Sequence, residues 1–301
     1  MIKRIAAVAL AGAMAVQALA VPGTAQANTA SAVCALSADA LSVYRYDGAS
    51  WVRIGGQFTR LYSGGFGLFA TTSFGNLVRY SGTPFSWQNI GGPRGTWAVT
   101  DDAIYALPSD HSGVWKWTGS GTTWTQVGGP AARLYGGGYG LFATIPDGTG
   151  ISQYLGTPFN WRFLGRANHE HDSDITYAVT SQNLFALDAV HEPYRWNAAM
   201  GVFDPEIPAD GGIRVSLDSL FGGAFAMGLD QERRLATTHG SIIMIRPDSP
   251  FPITDANMDV AIPPSSVFIS SPQRDSVWKY DGGLSWSKVG AVATRQLVPC
   301  L

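Results

Sequence analysis

The chain has 301 residues, 14% of them charged, and a formal net charge of −2. With no basic patch and no acidic or polybasic tail, that balance excludes the electrostatic footprint of a nucleic-acid-binding protein and of one drawn to membranes or polycations. The 36 glycines together with 10 Trp, 11 Tyr and 14 Phe suit many short strands joined by tight turns, with large side chains between sheets.

Residues 1–27 read as a secretory signal peptide. Lys3 and Arg4 give a positive start, Ile5 to Ala20 is apolar but too short to span a bilayer comfortably, and Ala25-Gln26-Ala27 is a small-x-small cleavage pattern. The mature protein is expected to be secreted and to start near Asn28. Cys34 does not fit a lipid attachment site, because Ser31-Ala32-Val33 lacks a small residue just before it. No later stretch is apolar enough for a membrane helix, so a membrane-spanning protein is not expected. Residues 28–301 read as one domain.

From Arg60 to Trp87 the chain runs RLYSGGFGLFATTSFGNLVRYSGTPFSW, and from Arg133 to Trp161 it runs RLYGGGYGLFATIPDGTGISQYLGTPFNW. A looser copy lies between them from Thr96 to Trp124. A period of about 36 residues signals a repeat architecture. Each copy has an aromatic, a turn, and a Trp or Phe some residues on. These landmarks start at Tyr46, Tyr80, Trp117, Tyr154, Trp196, Ile245 and Tyr280. Trp51, Trp87, Trp124, Trp161 and Trp286 end five copies; Phe203 and Phe251 end two.

Within a copy the apolar runs predict four strands. In the fourth copy these are Ala132 to Tyr135, Gly140 to Ile145, Gly150 to Tyr154 and Phe159 to Leu164, each bounded by turn-forming residues. A lone sheet cannot bury both faces, whereas sheets stacked around an axis can. The expected fold is therefore all-β, a seven-bladed β-propeller of four-stranded antiparallel blades. The pairs Gly55-Gly56, Gly91-Gly92 and Gly128-Gly129 follow the last strand, where crossing to the next blade often needs positive φ. The copies also alternate. The second and fourth carry LYxGGxGLFAT, while the third and fifth carry WAVTDDAIYAL and YAVTSQNLFAL. The sixth is irregular: RLATTHGSIIMIRPDSPFPIT is expected to supply its second to fourth strands, and Pro208 to Leu220 an inserted loop or extra strand.

Val33-Cys34-Ala35-Leu36 aligns with a second strand and Thr294 to Cys300 with a first, so both chain ends are expected to build the first blade. In that register Cys300 matches Gly138 and Cys34 matches Phe142, the two sides of one tight hairpin. In an oxidising compartment a Cys34–Cys300 disulfide would replace the missing turn and lock the ring; the alternative is two free buried cysteines.

The chemistry-bearing residues are few. His111, His191 and His239 are expected in connections between second and third strands, on the same side as the loop Arg166 to Asp174. There His169, His171, Asp172 and Asp174 are candidate ligand-binding residues that could hold a metal or transfer protons. The alternative is a polar, solvated insertion. No closed metal-ligand signature, nucleophile motif or phosphate loop is present, so neither a catalytic residue nor a metal or other cofactor is expected. The remaining candidates are the repeated aromatics. Apolar sugar faces stack on such rings, and weak sites repeated around a ring gain by avidity; the competing reading is that the Trp residues recur to pack blade on blade.

The units RYDGASWVRIGG, RYSGTPFSWQNIGGP and KWTGSGTTWTQVGGP resemble the tectonin and tachylectin-like repeat propellers, a group of secreted lectins, over nearly all of the mature chain. The resemblance implies a propeller that binds extracellular glycans or cell-surface polysaccharide without catalysis. The fifth and sixth copies depart from it by losing the Trp and the terminal Gly pair. Two other functions stay open: a propeller lyase or hydrolase using the 166–174 loop, and a protein-interaction scaffold. The sequence does not give an oligomeric state.

Overall fold

The computed structural model describes residues 32–93, 95–167, 175–180, 182–187 and 193–205, most of 259–300, and four strands between 217 and 244. Every sheet is four-stranded and antiparallel, with its strands side by side in the order in which a blade lays them down.

The first sheet is Thr294–Pro299, Val33–Ser37, Val43–Tyr46 and Trp51–Gly55. The second is Phe58–Gly64, Gly67–Thr72, Leu77–Tyr80 and Trp87–Gly91. The third is Gly95–Val99, Ile104–Pro108, Val114–Trp117 and Trp124–Gly128. The fourth is Arg133–Gly137, Gly140–Thr144, Ile151–Tyr154 and Trp161–Gly165. The fifth is Thr176–Val179, Leu184–Leu187, Pro193–Asn197 and Val202–Pro205. Beyond these come a sheet of Leu217–Leu220, Gly223–Met227, Arg234–Thr237 and Ile242–Met244, and one of Val260–Ala261, Phe268–Ser270, Val277–Gly282 and Ser285–Gly290.

The first strand of one sheet packs on the first strand of the next, from Val260–Ala261 through Thr294–Pro299 and onward to Leu217–Leu220. These strands line the axis, the fourth strands form the outer edge, and the fold is a β-propeller. Its core lies in layers between sheets. Between the third and fourth, for example, Tyr105, Val114 and Val127 pack with Leu141, Ala143 and Tyr154.

The first sheet joins both chain ends, as the repeat register requires. Val33 to Leu36 pairs with Pro299 to Gln296, and Cys34 and Cys300 are disulfide-bonded with their Cα atoms 5.6 Å apart. Next to this closure, the Gln296 side chain acts as a short strand mimic. Its Oε1 accepts the Leu61 N–H at 2.8 Å and its Nε2 donates to the Leu61 carbonyl at 3.0 Å, tying the first sheet to the second.

Two expectations are corrected. Arg234–Thr237 is the third strand of its sheet and Ile242–Met244 the fourth, one strand later than the sequence alignment placed them, and Leu217–Leu220 is the innermost strand, not an insertion. Without a Trp landmark, the apolar run SIIMI passed for a third strand. The glycine pairs are the second correction. Only Gly91 and Gly92 have positive φ (62° and 110°), while Gly55, Gly56, Gly128 and Gly129 do not. Close approach explains most of them instead, Gly129 excepted, whose Cβ position is open. A Cβ on Gly55 would lie 2.5 Å from Trp87 Nε1, one on Gly128 2.9 Å from Trp161 Nε1, and one on Gly92 2.9 Å from the Trp124 ring. Gly290 meets Trp51 in the same way. Gly165 precedes the sheet whose landmark is Phe203, and no atom approaches its Cβ position within 4 Å.

The alternation of the copies also has a structural cause. The hairpin tips of the second and fourth sheets reach over the next sheet: Phe66 N–H donates to the Thr100 carbonyl at 2.9 Å and Tyr139 N–H to the Thr180 carbonyl at 2.8 Å. A Cβ on Gly64 would sit 2.7 Å from Val99 Cγ1, so a glycine hairpin in one sheet requires a Val-Thr end in its neighbour.

Candidate functional site

The repeated Trp residues are staples between blades. The indole N–H of Trp51 donates to the Val289 carbonyl, that of Trp87 to Ile54, that of Trp124 to Ile90 and that of Trp161 to Val127, at 2.8–3.0 Å. Each bond satisfies a carbonyl of the preceding sheet and sets the ring on a glycine. Each ring also packs on its own landmark aromatic where that is Tyr, as in Tyr80–Trp87 and Tyr154–Trp161, with centroids 5.0 and 5.1 Å apart. These four rings are only partly buried, so a face beside the seam stays available to a ligand.

One such seam holds a cavity. Between the third and fourth sheets lies a space of about 230 Å3 walled by Trp161, Val114, Pro130, Ala131, Thr144 and Ser152. Gly129 to Ala131 form the crossing between the sheets, while Thr144 and Ser152 flank the second turn of the fourth. His111 borders it. His111 takes the left-handed position (φ 58°) of a turn closed onto the Pro108 carbonyl, and its Nδ1 lies 3.0 Å from the Ala131 carbonyl. The Ala131 N–H returns a bond to the His111 carbonyl at 3.3 Å. This exposed histidine ties the turn of the third sheet to the crossing.

Two carboxylates stand on the turns either side of the seam. Asp110 accepts the Ser112 N–H and Asp147 the Thr149 N–H, and these hydrogen bonds hold both carboxyls below the ordinary aspartate range. Both are therefore acceptors at neutral pH. Nearer the axis, burial raises the phenols of Tyr62, Tyr135 and Tyr177, which stay neutral. The seam thus offers a ring face, hydroxyls and acceptors, and no nucleophile paired with a base.

His169, His171, Asp172 and Asp174 lie outside the described residues, as do His191 and His239. Arg234–Thr237 and Ile242–Met244, on either side of His239 in sequence, are the third and fourth strands of their sheet and not the second and third as expected. Among the described residues no group of three metal-ligating side chains occurs.

Sequence reasoning missed the outer turns. Phe85 and Phe159 are 64% and 63% exposed, with φ of 63° and 61°. Their N–H groups donate to the Ile54 and Val127 carbonyls at 2.8 Å, the same oxygens that Trp87 and Trp161 use. Each exposed Phe therefore marks the outer end of a seam. The repeated GTPF preceding Ser86-Trp87 and Asn160-Trp161 was the available signal, since a bulky residue after Pro in a tight turn is unusual.

No family model matches the chain, and no curated protein matches it. Solved structures do. Apo AztD from Citrobacter koseri matches with a TM-score of 0.56 and 11% identity, over 89% of this chain and 96% of that one. YCF48 from Cyanidioschyzon merolae matches with a TM-score of 0.52 and 13% identity, over 82% and 90%. The GH74 enzyme of Niastella koreensis matches with a TM-score of 0.51 and 15% identity, over 78% of this chain and 45% of that one. At such identities the likeness shows a shared β-propeller fold and nothing of the ligand.

Proposed function

We propose that the protein is a secreted, non-enzymatic carbohydrate-binding propeller of seven blades, with its glycan sites in the seams between blades. The seven repeat copies and the seven four-stranded sheets support the blade number. The signal-peptide reading of residues 1–27 supports export.

The seam between the third and fourth sheets carries the functional reading. Its Trp161 N–H is committed to Val127, which leaves the indole as an apolar surface. The hydroxyls of Ser152 and Thr144 line the cavity, and Asp110 and Asp147 stand on the exposed turns of the two sheets that form it. An apolar face with acceptors on the turns beside it suits a pyranose.

A glycan array probed with the mature protein, with and without a chelator, tests this. Binding to one sugar family is expected, unaffected by the chelator and by His169→Ala with His171→Ala. Pro130→Trp, at an exposed position on the seam wall, should weaken it. No glycan bound would overturn the reading, and binding lost with the two histidines would move the site to the 166–174 loop.

A further inference from the structure

We infer that Phe85 and Phe159 are the stacking platforms of two equivalent glycan sites, so that the protein is bivalent toward a polysaccharide; this rests on the carbohydrate reading and specifies its number and place. In each turn the N–H of the fourth residue closes onto the first carbonyl: Ser86 to Thr83 at 3.0 Å and Asn160 to Thr157 at 2.9 Å. Phe occupies the third position at φ 63° or 61°, where a turn with Pro second calls for Gly or Asn. A bulky residue there is disfavoured by its own backbone, and here the ring is also left in water.

The fold does not require either ring. In the third sheet the matching turn uses Gly119 and Gly121, both at positive φ, and has no exposed aromatic. In the first sheet the turn closes differently, with the Asp47 N–H donating to the Ser50 carbonyl at 3.2 Å. Two unfavourable features, backbone strain and apolar exposure, thus occur together twice at equivalent positions; the backbone N–H bonds to Ile54 and Val127 offset the strain, and they need no large side chain. The N–H bonds to Ile54 and Val127 hold the backbone of both turns against the neighbouring sheet, so the turns need no reordering when a ligand stacks on the rings.

The surroundings select a sugar over a protein partner. The Phe85 ring stands among the exposed Ser81, Thr83 and Ser86, with the Arg53 guanidinium 5.8 Å from its centroid. Phe159 stands in a turn with Thr157 and Asn160. A disc of apolar surface in a turn rich in hydroxyl and amide groups matches one pyranose face and its hydroxyls, whereas a stable protein interface needs a much wider contiguous patch. Two such platforms on one rigid body favour a ligand that repeats, since each alone binds weakly.

The test is co-sedimentation with insoluble cellulose, chitin and peptidoglycan, alongside the glycan array, using wild type, Phe85→Gly, Phe159→Gly and the double variant. Glycine relieves the turn, so the variants should melt at or above the wild-type temperature. Each single variant should lose on the order of a hundredfold in apparent affinity for the polymer that wild type binds, and the double variant should not sediment. Wild-type binding in the double variant would overturn the platforms and leave the glycan reading standing. A lowered melting temperature would make the rings structural and overturn the proposal as well. Wild type that binds neither the array nor any of the three polymers would overturn the glycan reading itself, and this proposal with it.

Discussion

The indole of Trp87 donates to the Ile54 carbonyl at 2.8 Å and stands over Gly55 so closely that a Cβ there would lie 2.5 Å from Nε1. The two halves of the repeat motif, the Trp and the glycine that ends the last strand, therefore meet in neighbouring blades. The motif is a lock whose parts belong to successive copies. This relationship gives the first test of the fold.

Gly128→Ala should destabilise the protein by about 1–3 kcal/mol, because the new methyl meets Trp161 Nε1 at 2.9 Å. Gly129→Ala, its immediate neighbour, should be neutral or slightly stabilising, since its Cβ position is open and its φ is not positive. Denaturant midpoints of the two variants decide it, and equal midpoints would mean that the lock is not formed.

Trp124→Phe should destabilise more than Trp161→Phe. The Val127 carbonyl keeps the Phe159 N–H when the Trp161 indole is lost, whereas no turn N–H shares the Ile90 carbonyl with Trp124. Losses of about 2 and about 1 kcal/mol are expected, the larger reflecting an orphaned acceptor. Chemical denaturation of the pair measures the difference.

Replacing both Cys34 and Cys300 with Ala should lower stability by about 2–5 kcal/mol and leave the circular dichroism spectrum of the folded state unchanged. Reductant should destabilise the wild type by a similar amount and leave the double variant unaffected. A wild type insensitive to reductant after unfolding and refolding would contradict a stabilising bond.

Acid should erode stability through the turn aspartates. Asp47, Asp110 and Asp147 have carboxyls held below the ordinary value of 3.8 by backbone N–H bonds from Ser50, Ser112 and Thr149. A depressed folded pKa contributes stability that is complete above the unfolded value and is lost as pH falls through the folded one. Melting temperatures recorded from about pH 7 to about pH 2 should therefore fall at the acid end, and the triple Asn variant should fall less. Asp101 works in the opposite sense, because burial raises its carboxyl pKa.

Much of the architecture was legible because the physics that builds it leaves repeated residues. Trp recurs since each blade needs one ring on the glycine before it, and the register of the copies placed Cys34 against Cys300 without any view of the chain in space. The glycine pairs were legible as positions but not as causes: a glycine at positive φ and one crowded by a ring on another sheet look alike in a sequence. The sixth copy failed where the Trp failed, because a short apolar run fits any strand of a blade. At the seam, His111 was visible as a histidine in a turn, but its bond to Ala131 depends on a crossing from the next blade. Phe159 was read as the start of a last strand and Phe85 went unremarked before its Trp, and only their exposure and backbone angles distinguish them.

The closing strand of the ring is synthesised after every other strand described. Until Thr294–Pro299 emerges, the first sheet has three strands, Leu61 lacks the Gln296 amide that ties it back, and Cys34 has no partner for 266 residues of chain. A polypeptide cut short anywhere before Cys300 therefore carries a free thiol that the finished molecule does not. Thiol labelling of nascent or truncated chains would sort incomplete copies from complete ones, and the cell's oxidative folding machinery meets the same distinction.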